Sequence, residues 1–385
     1  YQADLCIQDG KIVAISPQWE GNCRTRVDVT GKIVSPGFID IHTHSDTCPF
    51  SAVFPESKVA QGITLEIVGN CGVSAVPILP SCQAEQTAYL RKISEIPVPE
   101  EAVRDASVQK YAAHVAQTGY PSHLGTLIGQ GTLRAGIVGF QYRPLTPSEM
   151  EQMKFLLDDQ LNQGALGLSL GLIYPPGSFS PTSELRELAR VVQKHKKILA
   201  VHMRNEGPNI FQAVEEMLSI AEETGVHLHI SHLKLMGKAQ WGQAPRLLER
   251  IEASRQRGAV VTCDQYPYTA TSTILAALLP RRAYDGGSAA AQGVGPRHIP
   301  SSGHRRRDGA ARRRGRCFSR LHPRKRAGIS RKNRLPALCL PGTYPSRNCC
   351  PYFGALFRNC VCHLFFHVPR GRPYHHVRHA CRHWQ

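Results

Sequence analysis

The sequence predicts an α/β fold, a (β/α)8 barrel that lacks its last strand and follows a small β-unit. Seven apolar, strand-like segments alternate with helix-like segments, in units of roughly 30 to 40 residues that are typical of a parallel sheet with helical crossovers. Seven such strands exceed most doubly wound sheets and approach the eight of a barrel. Histidine and cysteine residues also follow several of the strands, at the edge where such barrels carry their chemistry.

Residues 1–35 form the predicted small β-unit. Short runs of alternating apolar and polar residues lie at 4–7, 11–15 and 26–29. Asp9-Gly10 separates the first two runs and is a favoured two-residue hairpin turn. We therefore expect part of a β-sandwich here, with no catalytic role. Because the chain lacks an initiator Met and opens on what looks like the middle of a strand, we also expect a fragment.

The predicted barrel spans residues 36–287. Its strand-like segments lie at 36–44, 64–68, 123–129, 165–170, 198–202, 226–232 and 259–264. Helical spacing predicts helices near 100–117, 148–163, 183–194, 209–224 and 244–257. Ser148 is the expected N-cap of the second helix. The eighth strand would fall within the tail, where the strand pattern is absent.

The tail differs in composition from the rest of the chain. Residues 281–385 contain 21 Arg and 2 Lys against 2 Asp and no Glu, whereas residues 1–280 hold 24 basic and 27 acidic residues. The tail also takes 7 of the 13 Cys and 9 of the 18 His. The net charge of +18 therefore arises in the tail, and the preceding part has the balance of an ordinary globular protein.

Three interpretations of residues 288–385 compete. Arginine-rich blocks neutralise phosphates, so the tail could bind nucleic acid. A zinc module is the second interpretation, but the tail cysteines lack the paired spacing of tetrahedral sites. The third is a shifted reading frame or a disordered tail. We favour the third because acidic residues and hydrophobic periodicity vanish at one point, so nucleic acid is not an expected partner.

The length of the chain limits the number of domains, and its apolar runs bear on whether it enters a membrane. At 385 residues the chain has room for one large domain or two ordinary ones. It contains no run of 18 apolar residues that could span a bilayer, and its start has no basic segment followed by an apolar one. We therefore predict a soluble, cytoplasmic protein with no membrane partner.

Five potential metal ligands stand at the ends of four predicted strands. They are His42, His44, Cys71, His202 and His232. His42 and His44 lie two residues apart, so their imidazoles share one face of the first strand. For each ligand taken alone, packing in the core is an alternative explanation. We assign the histidines at 227 and 229, which begin strand six, to packing. Together at one barrel rim, histidine nitrogen and cysteine thiolate predict one or two Zn²⁺ ions.

Five segments carry specific motifs. They read PGFIDIHTHSD at 36–46, GNCG at 69–72, GALGLSLGLIYPPG at 164–177, HMRNE at 202–206 and SHLK at 231–234. This set resembles the D-aminoacylase (N-acyl-D-amino-acid deacylase) family of the amidohydrolase superfamily, over about residues 1–287. Leu233 replaces a second histidine of the family's last motif, which is not a metal ligand there.

The resemblance implies a division of the metal ligands between two positions. Cys71 would take the place of the carbamylated lysine of other amidohydrolases, as the ligand shared by both positions. His202 and His232 would complete the tighter zinc site with Cys71. His42 and His44 would line the second, weaker position.

The resemblance also implies a substrate site for a small N-acyl amino acid. Lys234 and a tyrosine, Tyr266 or Tyr268, would hold the substrate carboxylate. A lysine two residues after a ligand in a strand shares the face of that ligand, which supports this role. Tyr174 and Arg204 lie in matching segments and complete the predicted substrate-binding residues.

The implied reaction is metal-assisted hydrolysis of the amide bond in N-acyl-D-amino acids, releasing a carboxylate and a D-amino acid. The family's catalytic base is an aspartate in a His-x-Gly-Ser-Asp segment at the end of strand eight, and this sequence contains no such segment. The catalytic residue is therefore unassigned, and we expect poor folding and impaired activity. A cyclic-amide hydrolase of the dihydroorotase or hydantoinase kind is the alternative, although Cys71 stands where those enzymes carry a bridging lysine.

Overall fold

The computed structural model describes residues 2–51, 56–91, 107–268, 271–274 and 277. The chain divides into a first unit, Tyr1–Gly37, and a second unit, Phe38–Gln385. The tail at 288–385, where an eighth strand would fall, lies outside the described residues. Within the described ranges, no helix has both the length and the apolar character needed to cross a membrane.

The first unit contains a β-hairpin. Strands β1 (Asp4–Gln8) and β2 (Lys11–Ser16) pair antiparallel. Asp9 and Gly10 join them with φ values of 52° and 73°, the two consecutive left-handed residues of the predicted tight turn. The strand expected at 26–29 is wrong, because that run has no strand conformation. A strand needs a neighbour for its backbone N–H and C=O groups, and the described residues of this unit pair only β1 with β2.

The second unit alternates strands and helices. Its strands are β3 (Phe38–Asp40), β4 (Ile63–Val68), β5 (His123–Thr126), β6 (Ile128–Gly129), β7 (Gly167–Gly171), β8 (Ile198–His202), β9 (His227–Ile230) and β10 (Val261–Cys263). Its α-helices are α1 (Glu56–Val59), α2 (Gln83–Leu90), α3 (Val108–Thr118), α4 (Gln130–Val138), α5 (Pro147–Asn162), α6 (Thr182–Lys194), α7 (Ile210–Thr224) and α8 (Ala244–Gln256). Each predicted strand segment therefore contains a strand.

All strand pairs of the second unit are parallel. One sheet has the order β3-β4-β5 and the other has the order β10-β9-β8-β7-β6. The predicted third strand is divided between them at Leu127, whose N–H donates to the carbonyl of Val68 at 2.9 Å. On the other side, Leu166 N–H donates to the carbonyl of Thr126 at 2.8 Å. These two hydrogen bonds connect the sheets on either side of the segment 123–129.

Several strands are shorter than the sequence predicts, which affects where the histidines lie. The segment predicted at 226–232 contains the strand His227–Ile230, and His232 follows it with a φ of 38°. His42 and His44 likewise follow the end of β3. A residue that has left the strand can turn its side chain away from the strict alternation of the pleat, so these ligands are placed by loops rather than by strand geometry alone.

The core of the second unit lies between the strands and the helices that connect them. All five residues of β7 are buried, as expected for a parallel strand covered on both faces. The helices contribute fully buried leucines, among them Leu157 of α5, Leu188 of α6 and Leu218 of α7. This packing fixes the strands whose ends carry the predicted ligands.

A buried ion-pair network connects β3 and β4 to α1. Lys58 Nζ lies 3.1 Å from Asp40 Oδ2 and 2.5 Å from Glu66 Oε2. Glu66 Oε1 in turn accepts hydrogen bonds from Tyr120 at 3.1 Å and Ser122 at 2.6 Å. Charged groups this deep are retained only when they are paired and hydrogen-bonded. The network holds β3 and β4 together directly before His42.

Helix α5 begins at Pro147, one residue earlier than the sequence predicts. The predicted N-cap Ser148 is wrong, because Thr146 caps the helix and Pro147 is its first residue. Glu149 N–H donates to Thr146 Oγ1 at 3.3 Å, and Thr146 N–H donates to Glu149 Oε2 at 2.7 Å. This reciprocal capping box satisfies two backbone donors, and proline is favoured at the first helical position because it has no N–H to satisfy.

Replacing Thr146 with alanine is expected to lower the free energy of unfolding by about 1 kcal/mol, the usual effect of losing an N-cap side chain. Urea denaturation followed by circular dichroism would measure the change. Ser148→Ala is the matched control and should leave the midpoint nearly unchanged, since Ser148 is exposed inside the first turn. A larger loss for Ser148→Ala than for Thr146→Ala would contradict the cap assignment.

Candidate metal centre

Three side chains meet where β3, β4 and β9 end. His42 Nε2 lies 3.2 Å from Cys71 Sγ, and the same sulfur lies 3.5 Å from His232 Nε2. The ligand atoms of these three residues lie within 4.8 Å of one another. We call His42, Cys71 and His232 the cysteine cluster. Its nitrogen and sulfur atoms are the donors that zinc prefers in proteins.

A second group of donors shares His232 with the cysteine cluster. His202, Glu206 and His232 also place one ligand atom each within 4.8 Å of the others. Glu206 Oε1 lies 3.1 Å from His232 Nδ1 and 3.7 Å from His202 Nε2. His232 therefore faces Cys71 with one ring nitrogen and Glu206 with the other. The ring centroids of His202 and His232 are 4.4 Å apart, which places His202 beside the cysteine cluster.

His44 and His202 carry buried ring nitrogens without partners. Among the residues that the structure describes, neither nitrogen of His202 nor Nδ1 of His44 has a hydrogen-bond partner. The His44 ring adjoins His42 at a centroid distance of 5.6 Å. Burial lowers the pKa of His44 to about 3 and that of His202 well below its usual value. Both imidazoles are therefore neutral, the form that binds metal ions.

The loop that carries Cys71 packs directly on β7. Cys71 has a φ of 53° and stands between Gly69 and Gly72, whose φ values are 77° and 76°. Gly72 N–H donates to Ser169 Oγ at 3.0 Å. A Cβ atom at Gly171 would lie only 2.0 Å from the carbonyl oxygen of Cys71. The small residues of β7 thus allow the close approach that fixes the position of the thiol.

The conformation and environment of Cys71 are unusual for a structural cysteine. A left-handed non-glycine residue is strained and is often found at functional sites, and both Cys71 and His232 have positive φ values. Burial, followed by the charge of Asp264, raises the pKa of the Cys71 thiol. A thiolate at this position therefore requires a neighbouring positive charge, which a coordinated metal ion supplies.

Sequence reasoning missed two buried carboxylates at this site, Glu206 and Asp264. Burial opposes the charge of Glu206, but the hydrogen bond from His232 and the neighbouring His202 and Lys234 lower its pKa to about 2. Burial likewise opposes the charge of Asp264, but His42 and then His229 hold its pKa well below its usual range. The sequence carries only an unspecific signal: Asp264 follows a strand end as the predicted ligands do, and Glu206 follows His202 by four residues.

Three of the predicted substrate residues lie together beside the metal donors. Lys234 Nζ lies 2.6 Å from Glu206 Oε1 and 3.0 Å from His232 Nδ1. The same ammonium lies 5.5 Å from the centroid of the Tyr266 ring, which stacks on Tyr268 at a centroid distance of 6.5 Å. The structure thus brings a cation and two phenol rings to one side of His232.

The remaining predicted substrate residues, Tyr174 and Arg204, differ in their surroundings. Tyr174 packs edge-on against His202, with a centroid distance of 4.9 Å, and its hydroxyl lies 2.8 Å from Thr273 Oγ1. Arg204 donates to the Glu216 carboxylate at 2.9 and 3.0 Å and to the Ser178 and Ser180 carbonyls. These contacts favour a structural role for Arg204, and its assignment to the substrate stays a prediction.

Comparison with known proteins identifies relatives of this chain. No protein-family model matches it. The D-aminoacylase of Alcaligenes xylosoxydans xylosoxydans is 35% identical over 274 residues, which is 71% of this chain and 55% of that protein. The N-acyl-D-glutamate deacylase of the same organism is 35% identical over 283 residues, 73% of this chain and 56% of that protein. A crystal structure of a D-aminoacylase, described as defining a subset of amidohydrolases, matches with a TM-score of 0.64 and 36% identity, over 70% of this chain and 55% of that one.

The aligned part of the chain is thus similar to D-aminoacylases of the amidohydrolase kind, in sequence and in fold. A second D-aminoacylase-family structure, N-acyl-D-glutamate deacylase from Bordetella bronchiseptica, matches with a TM-score of 0.65 and 37% identity, over 73% of this chain and 57% of that one. That structure contains zinc and a phosphonate inhibitor that mimics the tetrahedral intermediate of the reaction. The chain spans about half the length of the D-aminoacylase-family relatives that it matches.

Proposed function

We propose that this chain carries the zinc site of a hydrolase that cleaves the amide bond of N-acyl-D-amino acids. The observation that carries the proposal is the meeting of His42, Cys71 and His232, whose ligand atoms lie within 4.8 Å of one another. The relatives named D-aminoacylase and N-acyl-D-glutamate deacylase support the substrate class. The same relatives favour linear amides over the cyclic amides that the sequence leaves as an alternative.

The residues present fit a zinc ion. The unpartnered nitrogens of His44 and His202 are buried, and buried polar atoms are almost always hydrogen-bonded or otherwise engaged. The resemblance assigns one ion to Cys71, His202 and His232 and a second position, which shares Cys71, to His42 and His44. Among the described residues, the donor that groups with Cys71 and His232 is His42, and His202 groups with His232 and Glu206. A bound zinc ion would supply Lewis acidity to the acyl carbonyl and to a water molecule.

The residues beside the metal donors would bind and orient the substrate. The Lys234 ammonium and the Tyr266 hydroxyl, which has no hydrogen-bond partner among the described residues, would receive the α-carboxylate of the amino acid. Glu206 holds Lys234 at 2.6 Å in the free protein, so a substrate carboxylate would share the ammonium with Glu206 rather than find it unpaired. Tyr174, packed on His202, would close the opposite side of the acyl group.

We also propose that the described strands belong to a (β/α)8 barrel and that the 385-residue chain turns over its substrate slowly. No His-x-Gly-Ser-Asp segment occurs in the sequence, so the aspartate that serves as base in the family has no counterpart here. General acid–base catalysis contributes about 10²–10⁴-fold, and this is the expected loss in rate relative to a complete D-aminoacylase.

The proposal is tested by measuring metal binding and turnover separately. The purified chain should bind Zn²⁺ in competition with a chromogenic chelator, and at high protein concentration it should hydrolyse N-acetyl-D-amino acids in preference to the L-forms. Dihydroorotate and a hydantoin serve as control substrates. Turnover of a cyclic amide with none of an N-acyl-D-amino acid would contradict the substrate class. A rate equal to that of the relatives would contradict the slow turnover, and failure to bind Zn²⁺ would contradict the metal site.

A further inference from the structure

Asp264 connects three histidines from two segments of the chain, the loop after β3 and the end of β9. It follows β10 and is fully buried. Its Oδ2 lies 3.1 Å from His42 Nδ1 and 2.9 Å from His229 Nε2. Its Oδ1 accepts a hydrogen bond of 2.6 Å from the backbone N–H of His232. One carboxylate thus contacts two ligands of the proposed zinc site and a histidine that the sequence assigns to packing.

The contact with His42 determines which of its ring nitrogens can bind a metal ion. A carboxylate only accepts hydrogen bonds, and a neutral imidazole donates from one nitrogen and accepts at the other. His42 Nδ1 must therefore carry the proton that Asp264 accepts. The lone pair of the ring then lies on His42 Nε2, which is 3.2 Å from Cys71 Sγ and faces the cysteine cluster.

We propose that Asp264 is a positioning residue that holds His42 as an Nε2 metal ligand, and that His229 supports Asp264 in that role. The inference rests on the proposed function, because it concerns a ligand of the proposed zinc site. Metal-binding histidines commonly donate their other N–H to a carboxylate, which fixes the ring and its tautomer. Here the carboxylate comes from a different strand than the histidine, so Asp264 also fixes where the loop after β3 lies.

The structure makes asparagine at position 264 a specific test. In the native chain, His42 Nδ1 and His229 Nε2 both donate to Asp264. If the amide oxygen of the new side chain keeps the hydrogen bond from His232 N–H, its NH₂ group faces these two donors, so donor meets donor. His42 would then have to accept at Nδ1 and carry its proton on Nε2, where it cannot bind a metal ion. If the amide is flipped instead, its NH₂ opposes the backbone N–H of His232, and one buried donor is unsatisfied.

The first experiment compares Zn²⁺ affinities of the full chain by chelator competition. Asp264→Asn is expected to bind Zn²⁺ about 10–100-fold more weakly than the wild type, the usual effect of removing such a carboxylate. Asp158→Asn is the matched control, because Asp158 also pairs with a histidine, at 2.8 Å from His195 Nε2, but on the outer helices. It should bind Zn²⁺ as the wild type does. Equal affinities of Asp264→Asn and the wild type would overturn the proposal.

A second measurement needs no variant and separates this proposal from the metal site itself. The ¹⁵N NMR shifts of the histidine rings in the metal-free wild type should show His42 protonated at Nδ1 and not at Nε2. The Nε2–H tautomer would overturn the proposal even where Asp264→Asn does not fold. If the wild type fails to bind Zn²⁺ while His42 is protonated at Nδ1, the proposed function fails and the positioning of His42 by Asp264 stands.

Discussion

Replacing Cys71 with alanine is expected to weaken Zn²⁺ binding by about 100-fold. Structural zinc sites with four ligands bind with an apparent free energy of about 10–16 kcal/mol, so one ligand contributes roughly 3 kcal/mol, or about 100-fold. Cys71 Sγ lies 3.2 Å from His42 Nε2 and 3.5 Å from His232 Nε2, between the two histidines of the cysteine cluster. Its loss should therefore weaken both proposed metal positions, and chelator competition on the purified variant would measure this.

Cys82→Ala is the matched control for the loss of one thiol. Cys82 ends the short 3₁₀ helix Pro80–Cys82 and is half-buried, and it takes no part in the cysteine cluster. We expect its variant to bind Zn²⁺ as tightly as the wild type. Equal Zn²⁺ affinity for Cys71→Ala and Cys82→Ala, with both variants folded by circular dichroism, would contradict the role of Cys71 as a ligand.

A single added methyl group at Gly171 is expected to disturb both stability and metal binding. The new Cβ atom would lie 2.0 Å from the carbonyl oxygen of Cys71, closer than any real contact allows, so either β7 or the Cys71 loop must move. Overpacking of this kind typically costs about 1–3 kcal/mol, which urea denaturation would measure. We expect Zn²⁺ affinity to fall as well, because the displaced backbone is that of the proposed shared ligand.

Gly207→Ala provides the comparison, since Gly207 lies in the loop after β8 near the same site. A Cβ atom added at Gly207 would have the Met236 carbonyl oxygen as its nearest neighbour, at 3.6 Å. This is an ordinary van der Waals distance. This variant should keep the stability and Zn²⁺ affinity of the wild type. If Gly171→Ala were tolerated equally well, the close packing of the Cys71 loop on β7 would be wrong.

The ligands that the sequence predicts share one simple property, their place after a strand. Parallel strands end along one edge, so the order of strands and ligands along the chain is enough to group His42, Cys71 and His232. Hydrophobic periodicity likewise locates each strand segment, because a buried parallel strand such as β7 is apolar along its whole length. These features depend on local sequence and on one topological rule, and they can be predicted for that reason.

Other features depend on which residues become neighbours, and sequence spacing does not contain that information. Asp264 and Glu206 escape sequence reasoning because an acidic residue near a strand end is common, and only the folded chain brings His42 and His232 beside them. The division of the third strand at Leu127 follows from its pairing with two different neighbours. The N-cap at Thr146 is missed because Ser148 is an equally good capping residue, and the position of Pro147 decides between them.

The separation of the site residues along the chain makes metal binding a property of the completed fold. His42 and Asp264 are 222 residues apart, and Cys71 and His232 are 161 residues apart. Closing such long loops costs conformational entropy that only the packing of every intervening strand and helix repays. A growing chain therefore cannot assemble the site until β10 has emerged and docked. A zinc ion that bound the folded chain in preference to the unfolded one would then stabilise the strands from β3 to β10 together.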